Sequence, residues 1–319
     1  MKKGVYGLFK LLNISYKKKM RNIIKIFREM FRSELSENKI EVDLPIIYNI
    51  AKRCGFTLAE TEKANKKYLK VVQKNTQVAF LSSTNDNIKI AKFACLSDIH
   101  AGAKGIDFIK LRSFLIKCKK VDIKYLFIAG DLFEGYNMYP NHEMDIEEST
   151  PDGQAKILYN ELINFDFYLI FINGNHDYSF EVNHMENPNK ILYEMLKEKN
   201  KKVIFIDSFY GDIVIQSIGI RLAHLDNTFA QSREYPCIKY AKDILEERDY
   251  TKNPKTGEKY KIHVVICGHI HKHEIYQYKE TLIFQPGSIK EEDINHERRI
   301  GFIVKITVEG EILKEYVVS

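Results

Sequence analysis

The sequence predicts an α/β domain in which helices cover packed sheets, preceded by a small, basic, helical N-terminal region. Three observations carry this reading. From about residue 88 onward, short apolar runs alternate with segments of helical spacing. Near the C terminus that alternation gives way mainly to strands. Residues 1–80 hold a net charge of about +11, which leaves about −5 for the remainder, so a basic appendage joins a mildly acidic body.

Taken in order, IKIAKFACL (88–96) reads as a strand and DFIKLRSFLIKCKK (107–120) as a helix. YLFIA (125–129) is a second strand, followed by a long polar loop through Pro140 and Pro151. AKILYNELINF (155–165) has helical spacing, and FYLIFI (167–172) is an uninterrupted apolar strand. NPNKILYEMLKEKN (187–200) carries proline near its start, as a helix does, and leads to the strand KVIFI (202–206). DIVIQSIGIRLAHL (212–225) reads as a hairpin passing near Ser217–Gly219. After a polar, helical insertion come the strands IHVVICG (262–268), EIYQY (274–278), TLIFQ (281–285), IGFIVKITV (300–308) and EILKEYVVS (311–319).

Bulk properties exclude several classes. With 319 residues the chain holds one large domain, or one of about 200–250 residues and a small one. No apolar stretch approaches the ~20 residues that cross a bilayer, so no membrane partner is expected. The first 27 residues are basic and partly apolar but offer no small-residue cleavage site, and are not read as a signal peptide. Cys54, Cys95, Cys118, Cys237 and Cys267 are scattered, with no CxxC pair. A disulfide framework and a thiolate zinc site are therefore not expected, and a reducing, cytoplasmic compartment is.

The strand ends carry the chemistry. NGNHDY (173–178) follows an apolar strand with an amide, an imidazole and a carboxylate, which cannot all be core residues because buried polar groups without partners cost several kcal/mol. Leu96 is followed by Ser97-Asp98-Ile99-His100, and Ala129 by Gly130-Asp131. His224 ends IGIRLAHL, and Cys267 is followed by Gly268-His269-Ile270-His271. Alternate residues of an extended segment point the same way, so Asp98 with His100, and His269 with His271, each aim two donors at one spot. Carboxylates, imidazoles and one amide oxygen, without sulfur, suit manganese, iron or zinc. The donors outnumber those of one tetrahedral site, which favours two divalent metal ions. Two ions about 3.5–4 Å apart form a clamp for in-line displacement at phosphorus.

In this order the motifs SDIH (97–100), AGDLFEG (129–135), GNHD (174–177), His224 and GHIH (268–271) resemble the calcineurin-like metallophosphoesterases, and QPGS (285–288) matches a segment that often follows the last motif. The resemblance covers roughly residues 88–319 and implies a layered sandwich of two packed mixed sheets flanked by helices. It also implies roles. Asp98, His100 and His271 bind one metal, Asp131 bridges both, and Asn175, His224 and His269 bind the second. A hydroxide between the ions attacks phosphorus, His176 protonates the leaving group, and Asp177 orients His176. Manganese is the metal expected first. At His224 the sequence departs from the family, since Leu225 stands where glycine usually follows. His142, His184, His263, His273 and His296 match no motif position and are read as structural or solvated.

Serine/threonine phosphatases of this superfamily read GDxxDRG; here Gly135 follows Glu134, so the arginine that grips a phosphomonoester is missing. GDLF followed by an acidic residue is similar to DNA-repair nucleases. The longer stretch 128–148 is similar to the exonuclease small subunit of archaeal D-family DNA polymerase, without the single-strand-binding domain that subunit carries in front. The expected function is therefore dinuclear metal-dependent hydrolysis of phosphodiesters, with nucleic acid favoured. A small-nucleotide phosphatase, a protein phosphatase and a non-catalytic nucleic-acid-binding subunit are the alternatives. The N-terminal region (1–80) bears on the choice. PIIYNIAKRCGFTLAETEKANKKYLK (45–70) reads as helix, turn at Gly55, helix, with Ala51 and Gly55 spaced as in a helix-turn-helix. Lys66, Lys67, Lys70 and Lys74 would then load the second helix with charge suited to phosphate contacts. Lys17–Lys19, Arg21, Lys25, Arg28 and Arg32 extend the basic character upstream. The competing reading is a solvated helical cap on the catalytic domain.

Overall fold

The computed structural model describes residues 35–36, 56–63, 66–74, 78–81, 90–183, 185–215, 218–225, 235–246, 260–290, 299–307 and 312–317. The chain divides into two compact units, Met1–Gln77 and Val78–Ser319.

In the first unit, strands β1 (Leu35–Ser36), β2 (Phe56–Lys63) and β3 (Lys66–Lys74) form an antiparallel sheet in the order β1-β3-β2. This corrects the helical expectation for 56–70. The second helix of the helix-turn-helix reading is a strand pair whose register sets Glu62 opposite Lys67 and Lys63 opposite Lys66. Thr57, Thr61, Tyr68, Val71 and Val72 are residue types that favour strands, and Asn65 between the two runs favours a turn. Residues 45–55, with the expected first helix, and the upstream basic cluster lie outside the described residues.

The second unit holds two six-stranded mixed sheets. The first runs β15-β14-β5-β6-β7-β8, with β5 (Ile90–Leu96), β6 (Tyr125–Ile128), β7 (Tyr168–Ile172) and β8 (Val203–Ile206) mutually parallel. β14 (Gly301–Thr307) and β15 (Ile312–Val317) complete its antiparallel edge. The second runs β12-β13-β11-β10-β9-β4, from β12 (Glu274–Tyr278) and β13 (Thr281–Gln285) through β11 (Ile262–Gly268) and β10 (Ile218–His224) to β9 (Tyr210–Ile215) and β4 (Val78–Leu81). β10 and β11 are parallel. Since β4 pairs with β9, residues 78–81 belong to this sheet and not to the N-terminal region.

The period-2 alternation of these strands sorts the core into layers. Phe93 and Cys95, Phe127 and Ala129, and Ile170 and Ile172 point toward the second sheet, where they meet Ile220, Leu222, Val264, Ile266 and Phe284. Leu96, Leu126, Ile128, Leu169 and Phe171 point the other way, under helices α1 (Phe108–Lys120), α2 (Pro151–Leu162) and α4 (Pro188–Glu198). Ala223, Val265, Cys267 and Ile283 face α5 (Tyr235–Glu246) on the opposite side. The result is helix, sheet, sheet, helix. Strands β5, β6, β7, β10 and β11, buried on both faces, read as continuous apolar runs for this reason. Helix α3 (Asn175–Val182), unforeseen in the sequence, begins with the buried Asn175 two residues after Asn173. Among the described residues no helix is long and apolar enough to cross a membrane.

Candidate metal centre

The donors stand at the C-terminal ends of β5, β6, β7, β10 and β11, the ends where open α/β sheets place their ligands. Main-chain bonds set the spacing: Asp98 N–H donates to the Gly130 carbonyl and His100 N–H to the Asp131 carbonyl, both at 3.1 Å. Ser288, from the QPGS segment, donates to the Asp98 carbonyl at 2.8 Å. Asp98, His100, Asp131, His269 and His271 all adopt positive φ, between 50° and 95°, a conformation costly for non-glycine residues. Strain of this kind gathers where surrounding structure over-determines a functional geometry.

Two donor groups result. In the first, His100 Nε2 and His271 Nε2 face each other at 3.1 Å, with Asp98 Oδ1 3.4 Å from His271 Nε2. In the second, Asn175 Oδ1 lies 3.0 Å from His224 Nε2 and 2.9 Å from His269 Nδ1, and Asp131 Oδ2 lies 3.1 Å from His224 Nε2. Ligand atoms of Asp131, His100 and His176 also lie within 4.8 Å of one another, which places Asp131 in both groups. Imidazole nitrogens and carboxylate oxygens converge, and further hydrogen bonds fix His224 and Asp98 in direction. His224 Nδ1 donates to the Ala129 carbonyl at 2.8 Å, so deprotonation frees a lone pair at Nε2, toward the second group. Asp98 accepts His269 N–H on both oxygens, at 2.9 and 3.0 Å. This donor set fits two divalent cations, and its nitrogen and oxygen character fits manganese, iron or zinc.

Charge balance within the side chains points the same way. Burial by itself would raise the Asp98 carboxyl, but His271 and His224 outweigh it and hold it at about 2. Asp131 is likewise driven well below the usual range by His224 and His176 against the cost of burial. Burial opposes a charge on His224, yet Asp131 raises it to about 10. The two carboxylates draw positive charge into the site, the place a cation would take.

Gly174 makes the approach of β7 to this centre feasible, because a Cβ there would overlap Asp131 Oδ1. Helix α3 starts at once, and the His176 N–H in its first turn donates to Asp131 Oδ1 at 2.8 Å. Consecutive helical residues do not face each other. Asp177 therefore does not orient the His176 ring, contrary to the expectation. Its carboxylate accepts the Gly174 N–H at 2.7 Å and the Phe133 N–H at 2.9 Å, capping α3 and holding the 131–135 loop. The His176 ring is held instead by the Glu134 main-chain carbonyl, which accepts from Nδ1 at 2.5 Å. Burial lowers the His176 pKa to about 4 and raises that of Asp177 to about 7.

Two residues that the motifs did not flag adjoin the centre. Glu134 is fully buried, with Oε2 2.9 Å from His100 Nδ1 and Oε1 3.0 Å from His142 Nε2. His142, read as solvated or structural, is buried beside the site; its ring lies 6.0 Å from that of His176. The signal available was the acidic residue three positions after Asp131, but nothing in the sequence paired it with His142. His263 accepts Gly219 N–H at 3.1 Å and His273 donates to the Gly301 carbonyl at 3.1 Å, as structural histidines do. His184 and His296 lie outside the described residues.

Residues 91–273 match the calcineurin-like phosphoesterase family, and the chain belongs to it. It is 27% identical over 240 residues to the DNA polymerase II small subunit of Methanocaldococcus jannaschii, covering 65% of this chain and 40% of that one. The corresponding subunit of Thermoplasma acidophilum is 25% identical over 211 residues, 58% of this chain and 42% of the relative. The chain thus spans about two fifths of the length of these relatives. Among solved structures, an archaeal phosphodiesterase superposes with a TM-score of 0.41 at 18% identity, over 71% of this chain and 99% of the other. The phosphoesterase Yfce of E. coli gives 0.38 at 18%, over 72% and 100%.

Proposed function

We propose that the chain is a dinuclear metal-dependent phosphoric ester hydrolase that cleaves phosphodiesters, with nucleic acid as the favoured substrate. The observation that carries this reading is the convergence of seven side chains from five strand ends into two donor groups joined at Asp131, with His176 alongside. Asp98, His100 and His271 would hold one cation, and Asn175, His224 and His269 the other. Bound there, two divalent cations supply Lewis acidity toward a phosphoryl group and lower the pKa of water.

The chain's own residues do the rest. With Nδ1–H committed to the Glu134 carbonyl, His176 exchanges protons at Nε2 alone. Its lowered pKa keeps the ring neutral at pH 7 and makes the imidazolium a ready donor once an anionic phosphoester favours the charged form. Gly135 argues for a diester over a phosphoprotein. It has φ of 84°, and a side chain there would collide with the His176 carbonyl and Ser179 Oγ, so no arginine fits where the protein phosphatases carry one. A reducing, cytoplasmic setting, inferred from the scattered cysteines of the sequence, belongs to the same reading.

Similarity to DNA polymerase small subunits supports a second reading, a nucleic-acid-binding subunit of a larger assembly that does not hydrolyse. One assay separates the two. Purified protein with manganese is offered a bis-aryl phosphodiester, an aryl phosphomonoester and end-labelled single-stranded DNA, with His176→Ala as control. Cleavage of diester and DNA, lost in the control, is the expected result. Monoester cleavage alone would make the protein a phosphatase, and silence on all three with metals bound would favour the subunit.

A further inference from the structure

Glu134, His142 and His176 form a third group of metal-ligand types beside the proposed centre. The hydrogen bonds show that it is not a third cation site. Met138 N–H donates to His142 Nδ1 at 3.1 Å, so the neutral ring carries its proton on Nε2 and donates it to Glu134 Oε1 at 3.0 Å. The Lys290 ammonium donates to the same oxygen at 2.9 Å and already supplies a positive charge to it. Oxygen Oε2 lies 2.9 Å from His100 Nδ1, an ion-pair distance, and among the described residues neither of these buried atoms has an aligned hydrogen-bond partner, so each is left to the other. A fully buried carboxylate held by two donors on Oε1 is fixed in direction, with Oε2 turned to His100.

That direction has a consequence at His100. With a carboxylate oxygen 2.9 Å from Nδ1, the proton of the ring is favoured there, which leaves the lone pair at Nε2, the atom that faces His271 Nε2 at 3.1 Å. Carboxylates behind ligating histidines set tautomer and ring orientation in this way, and their loss costs about 10–100-fold in metal affinity.

We propose that Glu134 is a positioning residue for the first cation site: its carboxylate holds His100 with Nε2 presented to the metal, and His142 and Lys290 hold the carboxylate. The inference rests on the reading of Asp98, His100 and His271 as one site. It makes the loop that carries His142 and the segment after QPGS, which carries Lys290, part of the support of the centre.

The test is calorimetric titration of the chelator-stripped full chain with Mn²⁺. Wild type is expected to bind two ions. Glu134→Ala is expected to weaken one of them by about 10–100-fold and to leave the other unchanged. His142→Ala and Lys290→Met should weaken the same site to a smaller extent, and His142→Gln, whose amide donates to Glu134, should restore it relative to His142→Ala. Both ions bound at wild-type affinity in Glu134→Ala would overturn the proposal and leave the metal-centre reading standing. Equal weakening of both sites with a lowered melting temperature would also overturn it, since a loosened fold does not choose between sites. Failure of the wild type to bind Mn²⁺ would overturn both readings together.

Discussion

At Asp131 a single carboxylate meets the His176 N–H on one oxygen and His224 on the other, so the helix start and the second sheet are read by the same side chain. Asp131→Asn keeps the volume but removes the charge that sets the His224 proton, and both ions are expected to bind more weakly, as metal analysis after dialysis would show. Retention of two ions per chain would exclude a bridging role. His176→Ala removes the ring and no proposed ligand, so metal content should stay at two while turnover falls by about 10²–10⁴-fold. His224 supplies a pH test. Its pKa, raised to about 10, means that the ring is protonated at neutral pH and must lose that proton when a cation binds Nε2. Mn²⁺ affinity should therefore rise with pH below about 10 and fall with acid, with protons released on binding at neutral pH. Calorimetry in buffers of different ionisation enthalpy measures that release, and its absence would remove His224 from the ligand set.

Strand β10 shows how one element serves two purposes. His224 and Leu222 share the face toward the first sheet, while Arg221 lies on the face with Ala223, under α5. Arg221 is fully buried and forms a bidentate pair with Asp212 on the neighbouring β9, and Tyr260 donates to the same carboxylate at 2.5 Å. Removal of one partner from a buried pair leaves the other charge uncompensated. Asp212→Ala is expected to cost about 3–5 kcal/mol, measured as a shift of the guanidinium unfolding midpoint. A smaller loss, about 1 kcal/mol or less, would mean that the pair is solvated. Helix α3 makes the opposite point. Its eight residues, NHDYSFEV, have no amphipathic period, and it exists because Asp177 caps it and Asp131 accepts an N–H of its first turn. A local reading of the sequence sees three polar residues after a strand and stops there.

At the scale of the whole molecule, the chain is a basic N-terminal unit and a phosphoesterase unit. Deletion of residues 1–77 cuts at the unit boundary and spares β4, which pairs in the second sheet. The truncated protein is expected to fold and to hydrolyse the small diester. If the basic unit binds nucleic acid, it will lose a salt-sensitive affinity for single-stranded DNA, read from binding isotherms at two ionic strengths. Loss of folding on deletion would instead make the first unit a cap.

The layered fold and the candidate ligands were legible because both are local facts. Continuous apolar runs of five to seven residues mark strands buried on two faces, and donors at their ends mark the C-terminal edge of the sheets. Asp98, His100, Asp131, Asn175, His224, His269 and His271 could each be picked out by that rule and by motif order. The residues themselves did not say which donors share a group; the family resemblance implied the grouping, and only the tertiary structure supplies its physical basis, because His100 meets His271 across 171 positions and His224 meets Asp131 across two sheets. It also decided the partners of the reactive ring, giving His176 to a main-chain carbonyl and Asp177 to a helix cap, since a helix turns consecutive side chains about 100° apart. The Glu134, His142 and Lys290 network and the β-hairpin at 56–74 were hidden for one reason. Hydrogen-bond partners and strand pairing are set by contacts between segments, and a one-dimensional pattern records only the residues that make them available.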